Sequence, residues 1–358
     1  MRKYIYSLIT DNKKGVAAGL IKAALFFLSL IYYFAVRLIK FLYFSNILKS
    51  FRPLCKVISV GNITLGGTGK TPLVLEIAAR LRDSGKKVVV LSRGYKTQKL
   101  TKSSDEVELF RRRLPDVPIL ADRDRIKTAK LAVSRHKADL VLLDDGFQHW
   151  RLKRDLDIVT MDLNNPFGNK RLIPRGILRE PVVSLRRADI FVLTKVGCDG
   201  DSMAKAEALK SRLCGIKKDA QVFTARYTAS TLFDPIAGEL VQLSELNGRK
   251  IALLCGIGDP ESFEETVKSL GACVILRFYF MDHHSYSGRD IETVICRCRD
   301  RDVDTIVTTE KDAARLEAEG YSERSDKFSG IKLLVLGINM EIYEEERFFD
   351  RIYSLLNS

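Results

Sequence analysis

The sequence predicts an α/β protein: a mainly parallel-sheet domain, a second and smaller α/β domain after it, and an N-terminal apolar helix ahead of both. Three observations predict this. From Pro53 onward, short apolar runs alternate with polar, helix-compatible stretches, as successive βαβ units require. One such run, Lys56 to Val60, leads into Gly66-Gly67-Thr68-Gly69-Lys70-Thr71 and then a helical pattern. Ahead of these, Val16 to Val36 is almost wholly apolar apart from Lys22.

The chain has 358 residues, 46% of them hydrophobic, enough for two compact domains, because single cores stop growing near ~250–300 residues. We place a membrane-associated helical segment at 1–45, a phosphate-loop domain at 46–226 and the smaller α/β domain at 227–358. The second border falls where 227–247 shows no long periodic run. A formal net charge of +14 calls for an anionic partner: nucleic acid, anionic lipid or a phosphorylated substrate. Nothing resembling a recognition helix or a zinc spacing supports nucleic acid, so no nucleic-acid partner is expected, and no obligate protein partner is implied. The seven cysteines are scattered without a C-x-x-C pair, which fits free thiols in a reducing compartment.

Within the N-terminal segment the uninterrupted apolar part, Ala23 to Val36, is shorter than the ~20 residues a bilayer span needs, so a helix lying in the membrane surface is expected. Lys and Arg flank both of its ends, so charge asymmetry gives no orientation, and both flanks suit anionic headgroups. A cleavable signal peptide is disfavoured, since bulky aromatic and basic residues follow where small ones would be needed.

Along the first domain, strands are expected at Lys56 to Val60, Lys87 to Leu91, Leu140 to Leu143, Ile158 to Met161 and Ile190 to Leu193. Helices are expected at Pro72 to Asp83 and Arg125 to His136. In the second domain Ile251 to Cys255, Cys273 to Phe278, Thr305 to Thr308 and Lys332 to Leu336 read as strands, and Pro260 to Leu270 as a helix. Arg123-Asp124-Arg125 reads as a solvated helix start.

The strand, glycine loop and helix from Val57 to Pro72 form a phosphate cradle. Gly66, Gly67, Thr68 and Gly69 let backbone N–H groups close around phosphate oxygens, Lys70 reaches the β- and γ-phosphates, and the Thr71 hydroxyl suits Mg²⁺. The fold expected is therefore P-loop NTPase-like. Thr64 stands where the strict G-x-x-x-x-G-K-[ST] motif has its first glycine. Leu140 to Gly146 then places two carboxylates at the end of an apolar strand, where open α/β sheets bind ligands. Asp144 is expected to hold Mg²⁺, with Asp145 assisting.

Together these segments resemble a known family. Gly61-Asn62-Ile63-Thr64 with the glycine loop, Ser92-Arg93-Gly94-Tyr95, Asp144-Asp145-Gly146-Phe147-Gln148-His149, Arg154-Asp155-Leu156-Asp157-Ile158, Phe167-Gly168-Asn169, Arg171-Leu172-Ile173-Pro174, Leu178-Arg179-Glu180-Pro181 and Thr309-Glu310-Lys311-Asp312 look like the tetraacyldisaccharide 4'-kinases of lipid A synthesis. The resemblance covers nearly the whole chain. It implies ATP- and Mg²⁺-dependent phosphorylation of the 4'-hydroxyl of an acylated glucosamine disaccharide 1-phosphate, at an inner-membrane surface with anionic lipids, on its cytoplasmic face. It also implies two α/β domains with the active site in the cleft between them.

By the same resemblance, the family's Gly-Asp-Glu-Pro base motif falls on Ser104-Asp105-Glu106-Val107, with both flanking residues changed, and its histidine motif is intact as Asp282-His283-His284. Asp105 is thus the expected base, oriented by His283. Glu180 is expected at Mg²⁺ or its water, Arg179 at phosphate, and Arg93 and Asn62 at the acceptor side. Lys311 is a lesser candidate. With Asp105 assigned to one domain and His283 to the other, closure on nucleotide binding is expected. The rival reading is a membrane-associated switch ATPase of the partitioning or division-site type. Those proteins carry a lysine just before the glycine pair, where this chain has Leu65.

Overall fold

The computed structural model describes residues 7–94, 105–318 and 330–357. In chain order the elements are α1 (Val16–Phe44), β1 (Lys56–Gly61), α2 (Lys70–Asp83), β2 (Val88–Ser92), α3 (Asp105–Arg113), β3 (Ile119–Ala121), α4 (Arg125–His136), β4 (Leu140–Asp144), β5 (Leu156–Asp162), β6 (Ile190–Thr194), α5 (Gly200–Ile216), β7 (Gln221–Asp234) and β8 (Glu239–Val241). These are followed by β9 (Lys250–Cys255), α6 (Pro260–Ser269), β10 (Cys273–Tyr279), α7 (Gly288–Arg299), β11 (Thr305–Thr309), α8 (Glu310–Ala318), β12 (Lys332–Ile342) and α9 (Glu345–Leu356).

The chain divides into two compact units, both discontinuous. The first takes the chain up to Gly94, Asp116–Arg226 and the stretch from Ile342; the second takes residues 105–115 and Tyr227–Glu341. The break at Arg226/Tyr227 lies where a border was expected, but α3 belongs with the second unit and α9 with the first. Packing explains both. On α9, Phe348 stacks edge-on against Phe223 with ring centroids 5.2 Å apart. On α3, Arg113 forms a fork with Glu310 at 2.7 and 2.9 Å. The expected α/β architecture holds, while β7 corrects the expectation of a region without long elements: it runs on to Asp234, into what reads as an irregular border.

In the first unit, parallel strands are ordered β3-β2-β4-β1-β5-β6-β7. Strand β1 is central, its residues buried on both faces, and α4 covers one side through Ala129 and Ala132. On the other side, Leu209 and Leu213 of α5 pack with Phe147 and Phe191. Burial on both faces is why these strands read as unbroken apolar runs. In the second unit β10, β9, β11 and β12 are parallel neighbours, and β7 pairs antiparallel with β8 through residues 232–234.

Helix α1 is 29 residues long, ~43 Å at 1.5 Å per residue, and is long and apolar enough by length and composition to cross a membrane. This exceeds the short apolar stretch read from the sequence, because Lys22 and Arg37 are carried inside the helix rather than ending it. One face is docked on the first unit. Lys22 pairs with Asp11 at 2.8 Å, the Ser29 hydroxyl donates to the Leu172 carbonyl at 2.9 Å and accepts from the Arg175 N–H at 3.0 Å. Further along, the Tyr32 hydroxyl donates to the Arg179 carbonyl at 2.7 Å, and Tyr43 packs against Trp150. The other face leaves Leu20, Phe27, Ile31, Phe34, Leu38 and Phe41 exposed.

Candidate active site

The glycine loop leaves β1 at the centre of its sheet and enters α2 at Lys70. Gly66 and Gly69 hold φ of 112° and 81°, which only glycine adopts without strain. Thr64 needs no such freedom. It sits in an antiparallel bridge with Leu178, while the Leu65 N–H donates to the Ile177 carbonyl and the Arg179 N–H to the Ile63 carbonyl, both at 2.7 Å. The missing first glycine is thus replaced by an extended segment zipped to residues 177–179. Thr68 is fixed from three directions: its hydroxyl takes the Asn62 amide at 2.8 Å and meets the Thr160 hydroxyl at 2.9 Å, and its carbonyl accepts from Thr194 at 3.2 Å.

Asp144 ends β4 directly beside Val60 at the exit of β1, and Asp145 follows in a left-handed conformation with φ 54°. The turn can come this close because positions 61 and 146 lack side chains. A Cβ on Gly61 would lie 2.5 Å from that of Phe147, and one on Gly146 would lie 2.7 Å from the Ser59 hydroxyl. The Asp145 carboxylate accepts from one Arg179 nitrogen at 2.8 Å through both oxygens and lies 3.7 Å from the Lys70 ammonium. Burial pushes its pKa up, but the charges of Lys70 and Arg179 outweigh this and hold it below the usual carboxylate range.

Glu180 is completely buried. Arg187 donates to its two oxygens at 2.8 and 3.0 Å, and Lys40 of α1 lies 3.2 Å away. Burial opposes ionisation, but the Arg187 hydrogen bonds and charge, with Lys40, keep it below its ordinary value. Both oxygens are engaged by cations, so Glu180 anchors the segment carrying Arg179; the role at Mg²⁺ or its water that the resemblance implies would require Arg187 or Lys40 to give way. Replacing Arg187 by Met should destabilise the fold by about 3 kcal/mol, since the buried carboxylate would keep only Lys40 as its counter-charge. Urea unfolding measures this, and a loss below about 1 kcal/mol would mean that Lys40 alone neutralises Glu180.

A magnesium ion fits the remaining donors chemically. Thr71, in the first turn of α2, and Asp144 supply a hydroxyl and a carboxylate, hard oxygens of the kind Mg²⁺ takes while keeping several waters. Among the described residues, no cluster of three or more His, Cys, Asp or Glu side chains suits a metal.

The second unit holds the Asp105 and His283 pair. The His283 ring nitrogen Nδ1 lies 3.1 Å from Asp105 Oδ2, and the same oxygen accepts from Arg315 Nε at 2.8 Å. Burial raises Asp105, yet the hydrogen bonds from His283 and Arg315 bring it down to about 2. The Asp105 hydrogen bond raises His283 above its ordinary value against the effect of burial. By linkage, the Asp105 contribution to stability is complete above the ordinary carboxylate pKa and is lost as pH falls towards about 2. The His283 contribution is complete below 6.5 and is lost as pH rises through its higher folded value.

Of the residues singled out, the structure gathers Lys70, Asp145 and Arg179 in the first unit and Asp105 with His283 in the second. Because both dyad members belong to one unit, the pair forms without closure, and that ground for expecting closure is withdrawn. Asn62 is fully buried and bonded to Thr68, so it shapes the loop rather than facing an acceptor. Arg93 is exposed at the end of β2. Tyr95 and Ser104 lie outside the described residues. Lys311 sits 3.8 Å from Glu106. Arg125 is not solvated: it is buried and donates to the Leu91 and Asp144 carbonyls at 3.3 and 3.0 Å. Sequence reading missed Arg187, Arg315 and Lys40, whose only local signal is a basic residue on a helical face.

Comparisons with known proteins agree with this geometry. The profile of the family described as tetraacyldisaccharide-1-P 4'-kinase matches residues 21–357. A tetraacyldisaccharide 4'-kinase of Halothermothrix orenii is 37% identical over 96% of this chain and 94% of its own length. One from Anaeromyxobacter sp. strain K is 38% identical, covering 82% of this chain and 80% of its own. The crystal structure of LpxK from Aquifex aeolicus in complex with ATP superposes with a TM-score of 0.69 at 29% identity, over 94% of this chain and 99% of that one. A glycine loop entering α2 at Lys70, two carboxylates at the neighbouring strand end and similarity over nearly the full length agree, and the chain belongs to the tetraacyldisaccharide-1-P 4'-kinase family.

Proposed function

We propose that the protein transfers the γ-phosphoryl group of ATP to the 4'-hydroxyl of an acylated glucosamine disaccharide 1-phosphate, giving the 1,4'-bisphosphate lipid A precursor. The observation that carries this reading is the phosphate loop with Lys70 and Arg179 held at Asp145, in a chain that belongs to this kinase family. Transfer of labelled γ-phosphate from ATP to the detergent-dispersed acceptor tests it. ATP hydrolysis without labelled lipid would return the chain to the switch-ATPase reading, which family membership does not favour.

Backbone N–H groups of residues 66–69 and the Lys70 ammonium bind the β- and γ-phosphates, and the N-terminus of α2 adds partial positive charge. Thr71 and Asp144 would hold Mg²⁺, which would supply neutralisation of the charge that develops on the phosphoryl oxygens. Asp145 keeps Lys70 and Arg179 aimed at the phosphates, and Arg179 offers them its planar fork. Asp105, oriented by His283, accepts the proton of the 4'-hydroxyl.

Helix α1 lies along the membrane surface in this reading. Its docked face runs from Lys22 to Tyr43, so most of its length is beside folded polypeptide, and the exposed apolar face opposite meets lipid. The basic flanks suit anionic headgroups on the cytoplasmic leaflet. Flotation with vesicles containing anionic lipid checks this. Phe27→Glu, Ile31→Glu and Phe34→Glu together should release the protein from vesicles by about tenfold or more, while ATP binding persists. Unchanged flotation would remove α1 as the membrane contact.

A further inference from the structure

We propose that Arg315 is the positioning residue of the dyad, a guanidinium clamp that ties one carboxylate oxygen of Asp105 to the buried floor of the second unit. The inference rests on the reading of Asp105 as the base. No motif in the sequence points to Arg315, and its role follows from three converging observations.

First, Arg315 Nε and Nη2 both reach Asp105 Oδ2, at 2.8 and 2.7 Å, and the same oxygen meets His283 Nδ1 at 3.1 Å. Three nitrogens on one oxygen set the direction of the carboxylate and hold the imidazole against it. Second, the guanidinium is anchored from behind. Its Nη1 donates to the Gly256 carbonyl at 2.6 Å and to Asp312 Oδ1 at 2.9 Å. Third, that anchor is rigid. Asp312 is completely buried and accepts from the Gly256 N–H at 3.1 Å, the Tyr286 hydroxyl at 2.9 Å and the Thr309 hydroxyl at 2.7 Å. One Asp312 bond would neutralise the arginine, yet two of its nitrogens go to an aspartate in the first turn of α3. A lysine could not replace it, since a single nitrogen cannot serve both carboxylates and the carbonyl.

The charged and titratable groups facing the dyad are Arg315, Asp312 and Lys311 from α8, Glu106 from α3, and Asp282 and Tyr286 from the segment carrying His283. Among them Arg315 opposes protonation of both dyad members. Removing its charge therefore moves both titrations to higher pH, and the His283 titration, already above its ordinary value, is the one that lies within the assayed range.

The test uses the full chain in detergent with ATP and the acylated disaccharide 1-phosphate, comparing wild type with Arg315→Gln, Arg315→Lys and Asp105→Ala between pH 5.5 and 9. Arg315→Gln should lower kcat by about 10- to 100-fold and shift the acidic limb upward by about half a pH unit or more, with KM for ATP within about twofold. Arg315→Lys keeps the charge but not the fork, so kcat should still fall while the limb stays near wild type. If the Gln variant does not fold, the Lys variant carries the test through kcat alone. Unchanged kcat and pH limb in the variants that fold, with Asp105→Ala inactive, would overturn the clamp and leave the base in place. Wild-type transfer by Asp105→Ala would remove the base reading itself and the clamp with it.

Discussion

With Lys70 replaced by alanine, γ-phosphoryl transfer should fall by about 10³-fold, equivalent to about 4 kcal/mol of transition-state stabilisation. In the proposed mechanism the lysine is the cation aimed at the β- and γ-phosphates, and it is only 14% exposed, so its charge would act where water screens little. A second loss follows from the same substitution. Asp145 would retain Arg179 but lose its lysine partner, drawing the arginine more tightly to the carboxylate and away from phosphate. Steady-state transfer of labelled phosphate, with ATP affinity measured separately, separates the effects: kcat should carry most of the loss. A Lys70→Ala variant within about tenfold of wild type would show that the loop is not where the γ-phosphate is handled.

Asp105→Asn should cost about 10²- to 10⁴-fold in the chemical step, the range general bases contribute. The amide keeps the side chain's size and one acceptor oxygen but cannot take the hydroxyl proton. Asp105 belongs to the second unit and the phosphate loop to the first, so ATP binding should stay intact. Single-turnover transfer with pre-bound ATP isolates this step. His283→Gln should fall less, because it removes orientation and leaves the carboxylate. A wild-type single-turnover rate in Asp105→Asn would reassign the base.

Several parts of this molecule are legible from local chemistry. Strands β1, β4 and β6 are short apolar runs because they lie in the middle of a parallel sheet, and their ends emerge within a residue or so of where the pattern changes. The glycine loop is legible because positive φ at residues 66 and 69 admits few other residues. Strand β7 was not legible: its 14 residues alternate weakly, since it pairs with β6 at one end and β8 at the other. Helix α9 carries its apolar residues on a mostly charged background, and the burial of Phe348 and Phe349 depends on partners far away in the chain.

The sites show the same division. Lys70, Thr71, Asp144 and Asp145 are proposed from residue type and spacing alone, because the requirements of phosphate and magnesium fall on a contiguous loop and a strand end. Glu180 reads from the family resemblance as a group at Mg²⁺ or its water, whereas its partners at complete burial, Arg187 and Lys40, come from packing that no local pattern announces. Arg315 lies 210 residues from Asp105 in the chain, and their pairing is a matter of which helices meet. Local conformational rules and the chemistry of phosphate act over a few residues and so are written in the sequence directly. Which charges meet in a low-dielectric interior depends on long-range packing, where burial makes pairing obligatory without specifying in advance which partner answers.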